Sequence, residues 1–258
     1  VRATDTSGPP IGGPEAAVDR SKIGHRSIGI LGGTFNPPHR GHLALARHAK
    51  TELGLECVVL MPANSAPHKG EVGDTGPQRR LEMCRLAVGE DLGLQVWGLE
   101  IERGGRSYTV DTLRAIHESH PDTELTFIVG ADMALTLPSW REPEVLVSLA
   151  GLAVAEREDG RREDVSRALA SLGAEVSFLD MPMVEISSSL VRERVHDGES
   201  IEGLVEPAVA EYIAEHGLYR GVATAYETSA KALAARTSTS ARTSKRTQTS
   251  TTAKTGTR

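Results

Sequence analysis

Gly29-Ile30-Leu31-Gly32-Gly33-Thr34-Phe35-Asn36-Pro37-Pro38-His39-Arg40-Gly41-His42-Leu43 is the stretch whose reading decides the fold. The apolar run Ile28 to Leu31 reads as a short buried strand. At Gly32-Gly33 the backbone can turn sharply or come close to a ligand, and Pro37-Pro38 keeps the connection extended. A helix follows from about Gly41 to Leu53, with Leu43, Leu45, Ala46, Ala49 and Leu53 at helical spacing and Gly54 ending the run. His39 then sits just ahead of the helix and His42 in its first turn, beside backbone N–H groups that lack helical acceptors. Taken singly, the glycines are a plain turn and the histidines ordinary surface or core residues. Taken together, strand, Gly-Gly, His-x-x-His and helix suit an anionic group whose charge grows during a reaction.

Working outward, Cys57 to Met61 is a second apolar run closed by Pro62, which makes a β-α-β unit with a parallel strand pair. The polar loop from Ala63 to Gly76 contains Ala66-Pro67-His68-Lys69; by composition Lys69 is a solvated lysine, and by its place after a strand end it is a phosphate contact. Helix is expected over Pro77 to Val88, strand over Leu94 to Leu99, and helix over Val110 to His120 with Ser107 or Thr109 as its cap. Leu125 to Val129 is a strand ending in Gly130-Ala131-Asp132, where Asp132 serves either as an N-cap or as a ligand for a ribose hydroxyl. Helix over Glu142 to Leu149, strand over Leu152 to Ala155, helix over Val165 to Leu172 and strand over Val176 to Leu179 complete the alternation. Such alternation predicts an α/β fold, a doubly wound, mainly parallel Rossmann-like sheet flanked by helices.

The run Glu185-Ile186-Ser187-Ser188-Ser189-Leu190-Val191-Arg192 places a serine cluster at a helix start. Standing alone it is a cap; with Arg192 one turn on, its hydroxyls, N–H groups and guanidinium can converge on a polyphosphate. Pro207 to His216 forms a final amphipathic helix, after which Leu218-Tyr219 tucks back onto the body.

The 258 residues, 39% of them hydrophobic, allow a domain with a sizeable core. No apolar run approaches the roughly 20 residues that span a bilayer, and no secretory apolar core is present near the N-terminus. Cys57 and Cys84 have no metal-knuckle spacing and read as reduced thiols, which points to a cytoplasmic protein. The sequence divides into a disordered arm (1–26), one folded domain (27–220) and a disordered basic tail rich in Ser and Thr (221–258). The chain carries a net charge of -6, and Ala223 to Arg258 carry +6, which leaves -12 on the remainder. An acidic body offers no nucleic-acid face, and no membrane partner is indicated.

The strand, Gly-Gly and His-x-x-His order resembles the phosphate-binding signature of the nucleotidyltransferase superfamily, and the Ile186 to Arg192 run resembles its second signature. Pro67-His68-Lys69 with Arg80-Leu81-Glu82-Met83, Ser107-Tyr108-Thr109, and Gly130-Ala131-Asp132 with Ser139-Trp140 narrow the likeness to the bacterial nicotinate-nucleotide adenylyltransferases, from about Ser27 to Arg220. The resemblance implies condensation of ATP with nicotinate mononucleotide, with Mg2+, to nicotinate adenine dinucleotide and pyrophosphate. It implies that His39 and His42 contact the ATP phosphates, that Ser188, Ser189 and Arg192 grip the phosphates that leave, and that Lys69 assists. Gly32, Gly33, Thr34 and Phe35 would line the nucleotide and Asp132 would hold a ribose; Thr109, Trp140 and Arg141 would surround the nicotinate ring. Two departures stand out: Asn36 occupies a position where aspartate is commoner, and no Pro-Gly-Tyr segment follows the fifth strand. Phosphopantetheine adenylyltransferases share the first and last signatures but generally carry threonine at the position of His39 and are shorter. A non-catalytic nucleotide-binding module is the rival of another kind, against which the intact His39, His42 and Arg192 weigh.

Overall fold

Six strands, all parallel, form one sheet in the order β3-β2-β1-β4-β5-β6. They are β1 (Arg26–Gly33), β2 (Cys57–Pro62), β3 (Leu94–Val96), β4 (Thr123–Gly130), β5 (Gly151–Glu156) and β6 (Val176–Asp180). The structure is a computed structural model that describes residues 26–65, 73–156, 161–180 and 185–220. The expected arm up to residue 25, the expected tail from residue 221 and the segment that includes Lys69 lie outside the described residues.

Parallel strands need crossovers, and helices supply them on both faces. One face of the sheet is covered by α1 (Arg40–Glu52), α2 (Pro77–Val88), α8 (Ser188–Asp197) and α9 (Pro207–Glu215). There Leu31, Val58, Leu60 and Ile128 of the strands pack with Leu43, Met83, Val191 and Val209 of the helices. On the other face Ile30, Val59, Phe127 and Val154 pack with residues of α4 (Thr109–Ser119), α6 (Pro143–Leu149) and α7 (Arg162–Leu169). Burial on both faces explains why the central strands read as continuous apolar runs rather than alternating ones.

Three expectations are corrected. The strand expected over Leu94 to Leu99 stops at Val96, because β3 is an edge strand pairing only with Val58 to Leu60; the chain then turns at Gly98 into a short helix, α3 (Leu99–Arg103). A second short helix, α5 (Ala131–Thr136), follows β4 directly. The helix expected from Val165 begins earlier, at Arg162, so that Glu163 and Asp164 lie in its first turn, where negative charge favours the N-terminus. It ends at Leu169, and Ala170–Leu172 form a 3-10 turn. Among the described residues no helix is long and apolar enough to cross a membrane.

Candidate active site

In this strand order the direction of winding reverses between β1 and β4, and open α/β sheets bind ligands outside the carboxyl ends of their strands at that point. A cleft of about 680 Å³ lies there, lined by Gly32 and Gly33 at the end of β1 and by Gly130 at the end of β4. Thr34, Phe35, His39, His42, Asp132, Ser188, Ser189 and Arg192 also line it.

The loop after β1 is shaped by close packing. The Phe35 ring folds back over Gly33, where an added Cβ would lie 3.0 Å from it. Phe35 itself has φ 51° and is buried, a left-handed conformation that costs a non-glycine residue roughly 1–2 kcal/mol and persists only where the surroundings enforce it. Phe35 meets the His42 ring edge-on at 4.9 Å, and His39 stacks on His42 at 3.6 Å. His39 is the N-cap of α1, and its backbone N–H donates to His42 Nδ1 at 3.2 Å. Because Nδ1 accepts, the ring hydrogen of His42 resides on Nε2, which makes Nε2 a hydrogen-bond donor in a side chain that faces the cleft.

A second helix N-terminus converges on the same cleft. Ser187, rather than its neighbours, caps α8 by accepting from the Leu190 N–H at 3.1 Å. Ser188 donates to the Pro37 carbonyl at 2.8 Å, and Arg192 donates through Nη1 to the Asn36 carbonyl at 2.7 Å and through Nη2 to Ser189 Oγ at 3.2 Å. Two positive helix ends therefore flank one space.

Three arginines line the cleft, and their partners differ. Arg80, 1% exposed, binds Asp74 and the carbonyls of Thr34, Ala63 and Asn64, fixing the ends of β1 and β2 relative to each other. Arg161 pairs with Asp132 at the rim. Arg192 has no carboxylate partner among the described residues, and its half-buried guanidinium is held below the ordinary arginine pKa by desolvation. Of the three, it is the one left without a compensating carboxylate among the described residues.

Thr109, Trp140 and Arg141 do not line this cleft but form a cluster adjoining it. Arg141 lies 4.8 Å over the Tyr108 ring and pairs with Asp111 at 3.2 Å, beside the first turn of α4 that Thr109 opens. Trp140 meets Phe127 edge-on at 6.0 Å, and Phe127 in turn lies 3.3 Å from where a Gly32 Cβ would be. Ser107, two residues before Thr109, also meets the cleft lining: its Oγ accepts from the Asn64 N–H at 2.9 Å.

Sequence reading missed Arg161, Asp74 and Asn64 as lining residues. Arg161 sits in the charged stretch after β5, read only as a connection; its place one strand beyond Asp132 was the available signal.

The chain is 41% identical over 196 residues to a probable nicotinate-nucleotide adenylyltransferase of Synechococcus sp. (strain JA-3-3Ab), covering 75% of this chain and 95% of that one. The chain belongs to the nicotinate-nucleotide adenylyltransferase family. A second member of that family, from Lactiplantibacillus plantarum, is 38% identical over 197 residues, covering 76% of this chain and 90% of its own. Residues 30–194 match the model of the wider cytidylyltransferase-like family, a span that runs from the strand before the histidines to just beyond Arg192. The structure of Plasmodium falciparum nicotinic acid mononucleotide adenylyltransferase complexed with NaAD shares the fold, with a TM-score of 0.65, 21% identity, and coverage of 76% of this chain and 98% of that one.

Proposed function

We propose that this cleft joins ATP and nicotinate mononucleotide, in the cytoplasm, to give nicotinate adenine dinucleotide and pyrophosphate. The observation that carries the reading is the convergence of two helix N-termini, the His39–His42 pair and the uncompensated Arg192 on one cleft at the sheet's switch point. A phosphate oxygen of the mononucleotide attacks the α-phosphorus of ATP; the bond from that phosphorus to the bridging oxygen breaks, and pyrophosphate departs with the electron pair. No covalent nucleophile of the protein is needed. Holding both substrates in line is worth ~7 to 11 kcal/mol. His42 Nε2–H and the α1 N-terminus would donate to the phosphoryl oxygens as charge accumulates, each well-placed donor contributing roughly 2.7 to 4 kcal/mol. Arg192, Ser188 and Ser189 would take the β- and γ-phosphates, with Lys69 as a further phosphate contact. Gly32 and Gly33 would let the backbone come close to the nucleotide, with Thr34 and Phe35 as its near wall.

Asp132 would hold a ribose hydroxyl after exchanging its bond to Arg161. Thr109, Trp140 and Arg141 would bound the nicotinate ring in the adjoining cluster.

Mg2+ is commonly bound through substrate phosphates and water with one or two carboxylates rather than by an all-protein cage, so it would come to this cleft on the triphosphate. The ion would offset polyphosphate charge as it arrives with ATP. The test is a steady-state assay with ATP and either nicotinate or nicotinamide mononucleotide, following pyrophosphate and identifying the dinucleotide. Turnover with the nicotinate form is the expected result, and purified protein that forms no dinucleotide from either would sink the proposal.

A further inference from the structure

Asn36 and Tyr219 are 183 positions apart and joined by a buried hydrogen bond, in which the Tyr219 hydroxyl donates to Asn36 Oδ1 at 2.7 Å. Asn36 is itself buried. Its Nδ2 donates to the Gly73 carbonyl at 3.0 Å, its Oδ1 also accepts from Thr75 Oγ1 at 3.4 Å, and its main-chain carbonyl is the acceptor that orients Arg192. One side chain thus ties together the loop after β1, the segment before α2 and the turn that follows α9. The acceptor side of the amide faces two hydroxyls and its donor side a carbonyl, so the amide has one satisfied orientation. A carboxylate there would set an acceptor against the Gly73 carbonyl in a buried position, so asparagine rather than aspartate satisfies these partners. Tyr219 is buried and has φ 64°, a left-handed conformation unusual for tyrosine that its contacts hold in place.

We infer that Tyr219 is a positioning residue for the triphosphate cradle, acting through Asn36 to fix the carbonyl that aims the Arg192 guanidinium. The inference rests on the adenylyl-transfer reading for its substrate. Without the hydroxyl the amide loses its closest partner, the 34–39 loop gains freedom, and Arg192 loses a fixed anchor. Ring packing against the core remains.

The test is a double-mutant cycle on the full chain with Tyr219→Phe, Asn36→Ala and the pair together, and Tyr212→Phe as a tyrosine control away from the cleft. For each, kcat and KM are measured for both substrates, ATP affinity by calorimetry, and the urea midpoint. Tyr219→Phe is expected to lower kcat/KM for ATP about tenfold, the size of one buried hydrogen bond, with KM for the mononucleotide within about twofold and Tyr212→Phe unchanged. The pair is expected to be no worse than Asn36→Ala alone. Three results would overturn the inference: kcat/KM for ATP within about twofold of the parent in Tyr219→Phe, losses equal for both substrates that track a lower urea midpoint, or losses that multiply fully in the pair. If the parent itself forms no dinucleotide, the function reading fails by that result alone. ATP affinity then decides on Tyr219, about tenfold weaker binding supporting its role and unchanged binding refuting it.

Discussion

Replacing Arg192 with methionine should remove a charge that the fold can do without and that the proposed reaction would use. The guanidinium makes two bonds to neutral acceptors, the Asn36 carbonyl and Ser189 Oγ, and has no carboxylate to offset its desolvation among the described residues. Losing the bond to the Asn36 carbonyl costs about 1 kcal/mol or a little more. Releasing a partly desolvated charge acts in the opposite direction, since a basic group whose pKa is lowered on folding penalises the folded state wherever it remains protonated, which for arginine includes neutral pH. Folding stability should therefore change by less than about 1.5 kcal/mol. Transition-state stabilisation by a donor aimed at a departing phosphate is worth roughly 2.7 to 4 kcal/mol, so kcat/KM should fall ~100- to 1,000-fold. Urea unfolding and pyrophosphate release measured on the same preparation separate the two effects. A variant that loses more than about 3 kcal/mol of stability yet keeps kcat/KM within about fivefold of the parent would refute the reasoning, because Arg192 would then be a structural residue.

His42→Ala should leave far-UV dichroism and the urea midpoint near those of the parent while turnover drops by at least ~100-fold; near-normal turnover would remove Nε2–H from the mechanism. Arg80→Met leaves three carbonyls and Asp74 without their buried partner and should cost about 3–5 kcal/mol, a fall of roughly 2 M in urea midpoint at a slope near ~2 kcal/mol per M. A shift below about 0.5 M would contradict that clamp. Burial pushes both the Cys84 thiol and the Tyr219 phenol above their ordinary values of 9.0 and 10.0. The unfolded chain therefore loses those protons first as pH rises, so stability is complete below about pH 8 and declines through the ordinary thiol and phenol range. The slope approaches about 1.4 kcal/mol per pH unit for each group, and a urea midpoint flat from about pH 8 to 10.5 would count against it.

The central strands and the helices around both phosphate signatures were legible because each is set by a local pattern. β1, β2 and β4 are apolar runs closed by Gly or Pro, and α1 and α8 follow capping positions. The two unexpected helices, of five and six residues, are under two turns long and carry too few positions to display a period. The strand that ended early shows a different limit: Trp97 and Leu99 have strand-like side chains, but an edge strand extends only as far as its one neighbour lets it. At the site, His39, His42, Ser188 and Arg192 were legible within seven-residue windows. The clamp of Arg80 and the bond from Tyr219 to Asn36 join residues 46 and 183 positions apart and leave no local trace.

The partners of the three cleft arginines show how one residue type serves two ends. A carboxylate beside a guanidinium fixes its position and cancels its charge, which suits Arg80 as a clamp between strand ends. A cation meant for a polyphosphate must be held without being neutralised, and a backbone carbonyl does this, since its dipole aims the guanidinium while leaving the full positive charge for the ligand. Asn36 and Pro37 supply the carbonyls that hold Arg192 and Ser188 across about 150 positions of sequence. The cradle therefore exists only once the C-terminal helices have docked on the loop after β1. Chains lacking that docking would lose the contacts that hold Arg192 and Ser188, so the site is not a property of the Gly-Gly and His-x-x-His stretch alone.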